Sequence, residues 1–93
     1  MIEDVDTLNS EQNLMSVAFV LLNSELGAEE RVFAALRSID AVKETYMLHG
    51  VYDVLGKIVA PSMDAIKMII LNQVRELAHV QNTLTLVVAE SKA

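Results

Sequence analysis

Six consecutive apolar residues, Val17 to Leu22, open the patterned part of the chain. The run has no polar alternate and is rich in β-branched and aromatic side chains, which predicts a strand buried on both faces. Asn23 to Gly27 punctuate it. In the segment AEERVFAALRSI that follows, Val32, Phe33, Leu36 and Ile39 recur at helical spacing, and Glu29 and Glu30 fall where a helix carries its partial positive charge. From Val42 to His49 the pattern switches to alternation, with Val42, Tyr46 and Leu48 on one side and Lys43, Thr45, Met47 and His49 on the other. Gly50 marks a turn, and VLGKIVA reads as the returning strand of a hairpin, in which Gly56 predicts a bulge or the close approach of another backbone.

Pro61 ends that strand, and Ser62 stands where a helix N-cap belongs, with Asp64 in the first turn. The second helix is predicted to run to about Leu77. Met63, Ile66, Ile70, Val74 and Leu77 form its core stripe, and Met68, Ile69 and Leu71 widen the apolar surface beyond what one sheet face requires. The last run, QNTLTLVVAE, is a strand with Thr83, Thr85 and Val87 on one side and Leu84, Leu86 and Val88 on the other. The order β-α-β-β-α-β predicts an α+β, ferredoxin-like fold, a four-stranded antiparallel sheet with both helices on one face. Two helices cover one face only, yet the first strand is apolar on both. The expectation is a dimer joined through the open sheet faces.

Length and charge narrow this further. Ninety-three residues suit one domain, and 53% hydrophobic residues with 22% charged ones are not the composition of a disordered chain. The domain is expected over residues 17–90, preceded by an acidic, fraying arm over 1–16 and followed by a short tail over 91–93. Glu3, Asp4, Asp6 and Glu11 face no Lys or Arg within that arm. A net charge of −6 has the wrong sign for gathering phosphates, which argues against direct nucleic-acid binding. No apolar run approaches the roughly 18–20 residues of a membrane span, and the acidic N-terminus is unlike a targeting peptide. With no cysteine there is no sign of an oxidising compartment, so the expected location is cytoplasmic.

Little in the chain nominates catalysis. His49 and His79 stand thirty residues apart without a metal-binding motif, so no metal site is expected. Gly27, Gly50 and Gly56 build neither a dinucleotide nor a Walker loop, and no cofactor is expected. Ser62 is explained as a helix cap, and no carboxylate pair stands out as acid and base. One compact constellation remains, Gly50-Val51-Tyr52-Asp53. A positive φ at Gly50 would turn the N–H groups of a tight turn outward toward an anion, and Asp53 offers an acceptor for an ammonium group. Tyr52 adds a ring and a hydroxyl. These are the complements of an amino-acid zwitterion. The same residues also fit a purely structural turn in which Asp53 accepts from the turn's own N–H groups and Tyr52 packs. Thr83 and Thr85 contribute hydroxyls to the last strand, although threonine suits any strand.

Val-Lys-Glu-Thr-Tyr at 42–46, Gly-x-Tyr-Asp at 50–53 and Asn-Thr-Leu-Thr-Leu-Val-Val at 82–88, in this order and spacing, resemble the effector domain of the Lrp/AsnC family of transcription regulators, the RAM domain. The resemblance covers about residues 17–90. It implies a βαββαβ fold, dimers joined through their sheets and assembled into tetramers or larger rings, and small effectors, commonly amino acids, held between dimers. By this resemblance Gly50, Tyr52 and Asp53 match turn positions that contact the effector. Thr83 and Thr85 match last-strand threonines lining the same cleft, and Leu48 and His49 are adjacent to it. Family regulators also carry a helix-turn-helix domain, which an acidic arm of sixteen residues cannot supply. The expectation is therefore a stand-alone, non-enzymatic sensor of an amino acid that acts on transcription indirectly, by assembling with full-length Lrp/AsnC-type relatives. Two other readings stay open: a small dimeric ferredoxin-like enzyme, supported by fold analogy alone, and an oligomerisation partner that binds no ligand.

Overall fold

The structure is a computed structural model that describes residues 15–89. The expected acidic arm and the short tail lie, almost entirely, outside these residues. In chain order the elements are β1 (Ser16–Ser24), α1 (Glu29–Arg37), β2 (Val42–Met47), β3 (Val54–Ala60), α2 (Met63–Ile69) continued by a π-helical turn (Ile70–Val74), and β4 (Val80–Val87). The sheet order is β2-β3-β1-β4, and every neighbouring pair is antiparallel. This is the ferredoxin-like arrangement expected from the pattern.

The core lies between the helices and one face of the sheet. Ala18, Val20 and Leu22 of β1 and Val54, Ile58 and Ala60 of β3 meet Val32 and Leu36 of α1, Ile66 of α2 and Val74 of the π turn. Phe33, Ile70 and Leu77 pack against this cluster as partly buried neighbours. Gly56 sits beneath α1. A Cβ there would fall 2.8 Å from Leu36 Cδ2 and 3.3 Å from Val20 Cγ2. The close approach is thus that of a side chain, neither a bulge nor another backbone.

The opposite face has no covering element among the described residues. Val17, Phe19 and Leu21 on β1 are half-buried there, beside Leu55 on β3 and the exposed Leu84 and Leu86 on β4. The two-faced apolarity of the first strand therefore corresponds to one closed face and one open one.

Three local expectations are corrected. The pairing of β2 with β3 shifts between Val42 and Glu44, a bulge that inserts one residue and reverses the alternation. Val42 consequently sits opposite Ile58 on the closed face, whereas Tyr46 sits opposite Leu55 on the open one, and Leu48 lies beyond the strand end. Second, α2 does not continue as a regular helix to Leu77. The Arg75 N–H reaches back to Ile70 O at 2.8 Å, the wider turn of a π-helix. Ile69 packs on the core, while Met68 and Leu71 stay exposed. Third, the link between β2 and β3 is a longer loop over 48–53, and the positive φ expected at Gly50 is found instead at Gly27 (83°) and His79 (69°). The N-cap expectation holds, since Ser62 Oγ accepts from the Ala65 N–H at 3.1 Å.

Candidate functional site

The carboxyl end of β1 is where the β1–α1 loop and the β2–β3 loop meet. Three hydrogen bonds tie them together: Asp53 N donates to Leu22 O (2.9 Å), Asn23 Nδ2 donates to Val51 O (2.7 Å), and Ser24 N donates to Asp53 Oδ2 (2.9 Å). Within the second loop, Leu48 N donates to Asp53 O at 2.8 Å and closes its base. Asp53 thus accepts from the end of β1, not from the N–H groups of its own turn. Its carboxylate fastens one loop to the other.

Gly27 makes the first loop possible. At φ 83° it occupies the left-handed region that glycine enters without a Cβ clash, and its N–H donates to Glu29 Oε2 at 2.9 Å. The buried Ser24 hydroxyl lies 3.3 Å from Asp53 Oδ2 and 3.4 Å from Glu29 Oε2, within donating range of either. Two carboxylates from different loops therefore converge on one hydroxyl, each engaged through a single oxygen among the described residues. Glu29 also stands in the first turn of α1, where negative charge is favoured.

Between the loops is a cleft of about 450 Å³ lined by Leu26, Glu29, Met47, Leu48, His49 and Asp53. Its volume falls within the range of small-molecule sites, and it combines apolar walls with a few polar groups. Of the residues singled out from sequence, the fold brings Leu48, His49 and Asp53 together here. Gly50 and Tyr52 belong to the same loop but do not line the cleft. Thr83 and Thr85 lie elsewhere. They sit opposite Leu22 and Val20 on β4, at the sheet edge farthest from β2, and within one chain they do not reach the cleft.

Sequence reading missed Glu29, Ser24, Leu26 and Met47. In the sequence Glu29 reads only as a charge at a helix start. Its position two residues after a glycine was the available sign that its side chain folds back on the turn. Among the described residues no group of three or more His, Asp or Glu is placed to hold a metal ion. No helix there is long and apolar enough to cross a membrane.

The clearest electrostatic perturbation lies outside the cleft, on the open sheet face. Tyr46 donates its hydroxyl to Glu44 Oε1 (2.7 Å) and Lys57 Nζ reaches Glu44 Oε2 (3.3 Å). The tyrosine hydrogen bond, followed by the lysine, holds the Glu44 carboxyl below its ordinary range, and Glu44 pushes Tyr46 above its own.

A ferredoxin-like domain with a ligand-sized cleft at its paired loops is the class that fold and geometry define. The family model described as "Lrp/AsnC ligand binding domain" matches residues 17–92, and the chain belongs to that family. Over 58 residues, 62% of the chain, it is 33% identical to the regulatory protein AsnC of Escherichia coli K12, and the match spans 38% of that protein's length. Among solved structures, that of FFRP-DM1 superposes with a TM-score of 0.75 at 27% identity, covering 78% of this chain and 97% of the other. The transcriptional regulator NMB0573 of Neisseria meningitidis, solved as its L-Met complex, superposes with a TM-score of 0.73 at 19% identity, covering 89% and 54%, and shares the fold.

Proposed function

We propose that this chain is an amino-acid-sensing regulatory domain whose effector is held at the cleft between the β1–α1 and β2–β3 loops. The observation that carries the reading is the convergence of Leu48, His49 and Asp53 with Glu29 on one cleft whose walls are otherwise apolar. A carboxylate with one oxygen already fixed by Ser24 offers the other to a ligand ammonium group, and Leu26, Met47 and Leu48 offer contact to an aliphatic side chain. The L-Met complex of a regulator with the same fold supports a ligand of this kind. A few charge-assisted hydrogen bonds, less the cost of association, give an expected affinity of roughly micromolar to millimolar.

The cleft is bounded by one chain on one side only, and a neighbouring copy closes it. Two copies pair through their open sheet faces, and such dimers assemble further, placing the hairpin loops at the boundary between dimers. Gly50 and Tyr52 join the site at that boundary, and Thr83 and Thr85 reach it from another copy. Ligand occupancy then shifts the balance between assembly states by its differential affinity for them. The role is regulatory and non-catalytic, and it is exerted on transcription through assembly with larger relatives that share the domain. Titration calorimetry with the twenty amino acids, run beside light scattering, tests this. Heat of binding to one or a few of them, with a change in mass, is the expected result. A folded, assembled protein that binds none would end the proposal.

A further inference from the structure

The outer side of α2 carries apolar surface that neither the core nor the cleft uses. Met68 and Leu71, neighbours on one side of the helix, are 56% and 51% exposed, while Ile66 and Val74 make the contacts to the core. Lys67 and Arg75 flank them. Both are exposed, and neither has a carboxylate within ion-pair distance among the described residues. The acids of this segment, Asp64 and Glu76, lie outside the stretch 67–75. Pairing two copies through their open sheet faces leaves this side of the helix layer outward, so that contact does not cover it.

The chain also holds a segment of matching character. Residues 1–14, outside the described part, include Ile2, Val5, Leu8 and Leu14 together with Glu3, Asp4, Asp6 and Glu11, and no Lys or Arg. The fold sets where this segment starts. Ser16 of β1 lies opposite Ala60 of β3, and α2 begins at Met63, so the chain leaves the sheet beside the first turn of α2. From there to Arg75 is about 18 Å along the helix, less than half the reach of fourteen extended residues. We infer that residues 1–14 dock on the outer side of α2, with Val5 and Leu8 against Met68 and Leu71. Because the segment starts at the beginning of the helix, Glu11 comes first, toward Lys67, and Glu3, Asp4 and Asp6 lie farther along, toward Arg75. Exposed ion pairs are individually weak, so the apolar contact and the charges act together. The tether holds the segment at an effective concentration of roughly millimolar order, which populates a contact too weak to join separate chains. This docking is independent of the cleft and of any ligand held there.

The chain has no cysteine, so Thr7→Cys gives the full chain a single attachment point for a nitroxide spin label. In nuclear magnetic resonance spectra the amides of residues 67–75 should lose intensity, and those of β4 and of the open sheet face should keep theirs. Lys67→Glu with Arg75→Glu should abolish the loss, and adding Asp6→Lys with Glu11→Lys should restore it, with circular dichroism unchanged throughout. If the reversed variant does not fold, Lys67→Gln with Arg75→Gln serves in its place and should reduce the loss. Mixing spin-labelled chains with separate isotope-labelled ones tells a chain's own segment from that of a second copy. Equal loss in the mixture would assign the occupant to a second copy and overturn the inference. So would loss confined to another surface, no loss at all, or a loss that survives charge reversal in a folded variant.

Discussion

Val20 and Phe19 are neighbours on the same strand, yet one belongs to the closed face and the other to the open one. Val20 is fully buried against α1 and its neighbours, whereas Phe19 is half-buried with no helix above it. Both are apolar, so composition does not separate them. Topology does, because both helices lie on one side of the sheet. The closed face gives one chain its stability, and the open face leaves apolar surface that no described element covers.

The largest effect should come from placing the same charge on each face. Val20→Asp buries a carboxylate without a partner, a penalty of several kcal/mol that takes most of the roughly 5–15 kcal/mol by which a domain is stable. Phe19→Asp falls on the face that no helix covers and should cost the single chain clearly less than Val20→Asp. What it should remove is face-to-face assembly. Urea denaturation and light scattering on the two variants decide this. If Phe19→Asp unfolds the monomer as readily as Val20→Asp, the two faces are not distinct in the way proposed.

A smaller effect tests how tightly the closed face is packed. Gly56→Ala would set a Cβ 2.8 Å from Leu36 Cδ2, too close without movement of that side chain. Overpacking of this kind costs about 1–3 kcal/mol. Leu36→Val in the same chain removes the clashing methyl, so the double variant should lose less than the sum of the two single losses, a coupling that denaturation measures directly. Strict additivity would mean that the contact is not the source of the strain. Smaller again, Ser62→Ala removes the side-chain acceptor at the start of α2 and should lower stability by about 1 kcal/mol.

Much of this architecture was legible from the chain, and the exceptions share a cause. Val32, Leu36, Ile66 and Val74 could be placed in the core because helical spacing repeats along the sequence itself. The bulge after Val42 could not, since one inserted residue leaves no local mark and yet reverses the side on which Tyr46 lies. The loop site was half legible for a similar reason. Asp53 stood out by its neighbours Gly50 and Tyr52, but its partner Ser24 is twenty-nine residues away, and only strand pairing brings the two together. Thr83 and Thr85 show the converse. Their place on a strand was readable, but their distance from the cleft depended on strand order, which puts β4 and β2 at opposite edges.

The smallest effect concerns a polar trio on the open face. Glu44 accepts from Tyr46 and Lys57, which lowers its pKa, so its contribution to stability is complete above the ordinary carboxylate range and is lost as acidification passes its lowered value. For Tyr46 the sign is opposite. A raised pKa means a contribution present below the ordinary tyrosine value and lost as the pH climbs through the raised one. The stability gap between the parent chain and Glu44→Gln should therefore be widest near neutral pH and should narrow toward both acid and strong base. In a Tyr52→Phe background only Tyr46 titrates among the tyrosines, and ultraviolet titration should show its midpoint falling toward the ordinary value when Glu44 becomes Gln. A midpoint that does not move would mean that this trio is not formed in solution. The rim of the open face would then lack the polar boundary that separates it from the apolar strip along β1 and β4.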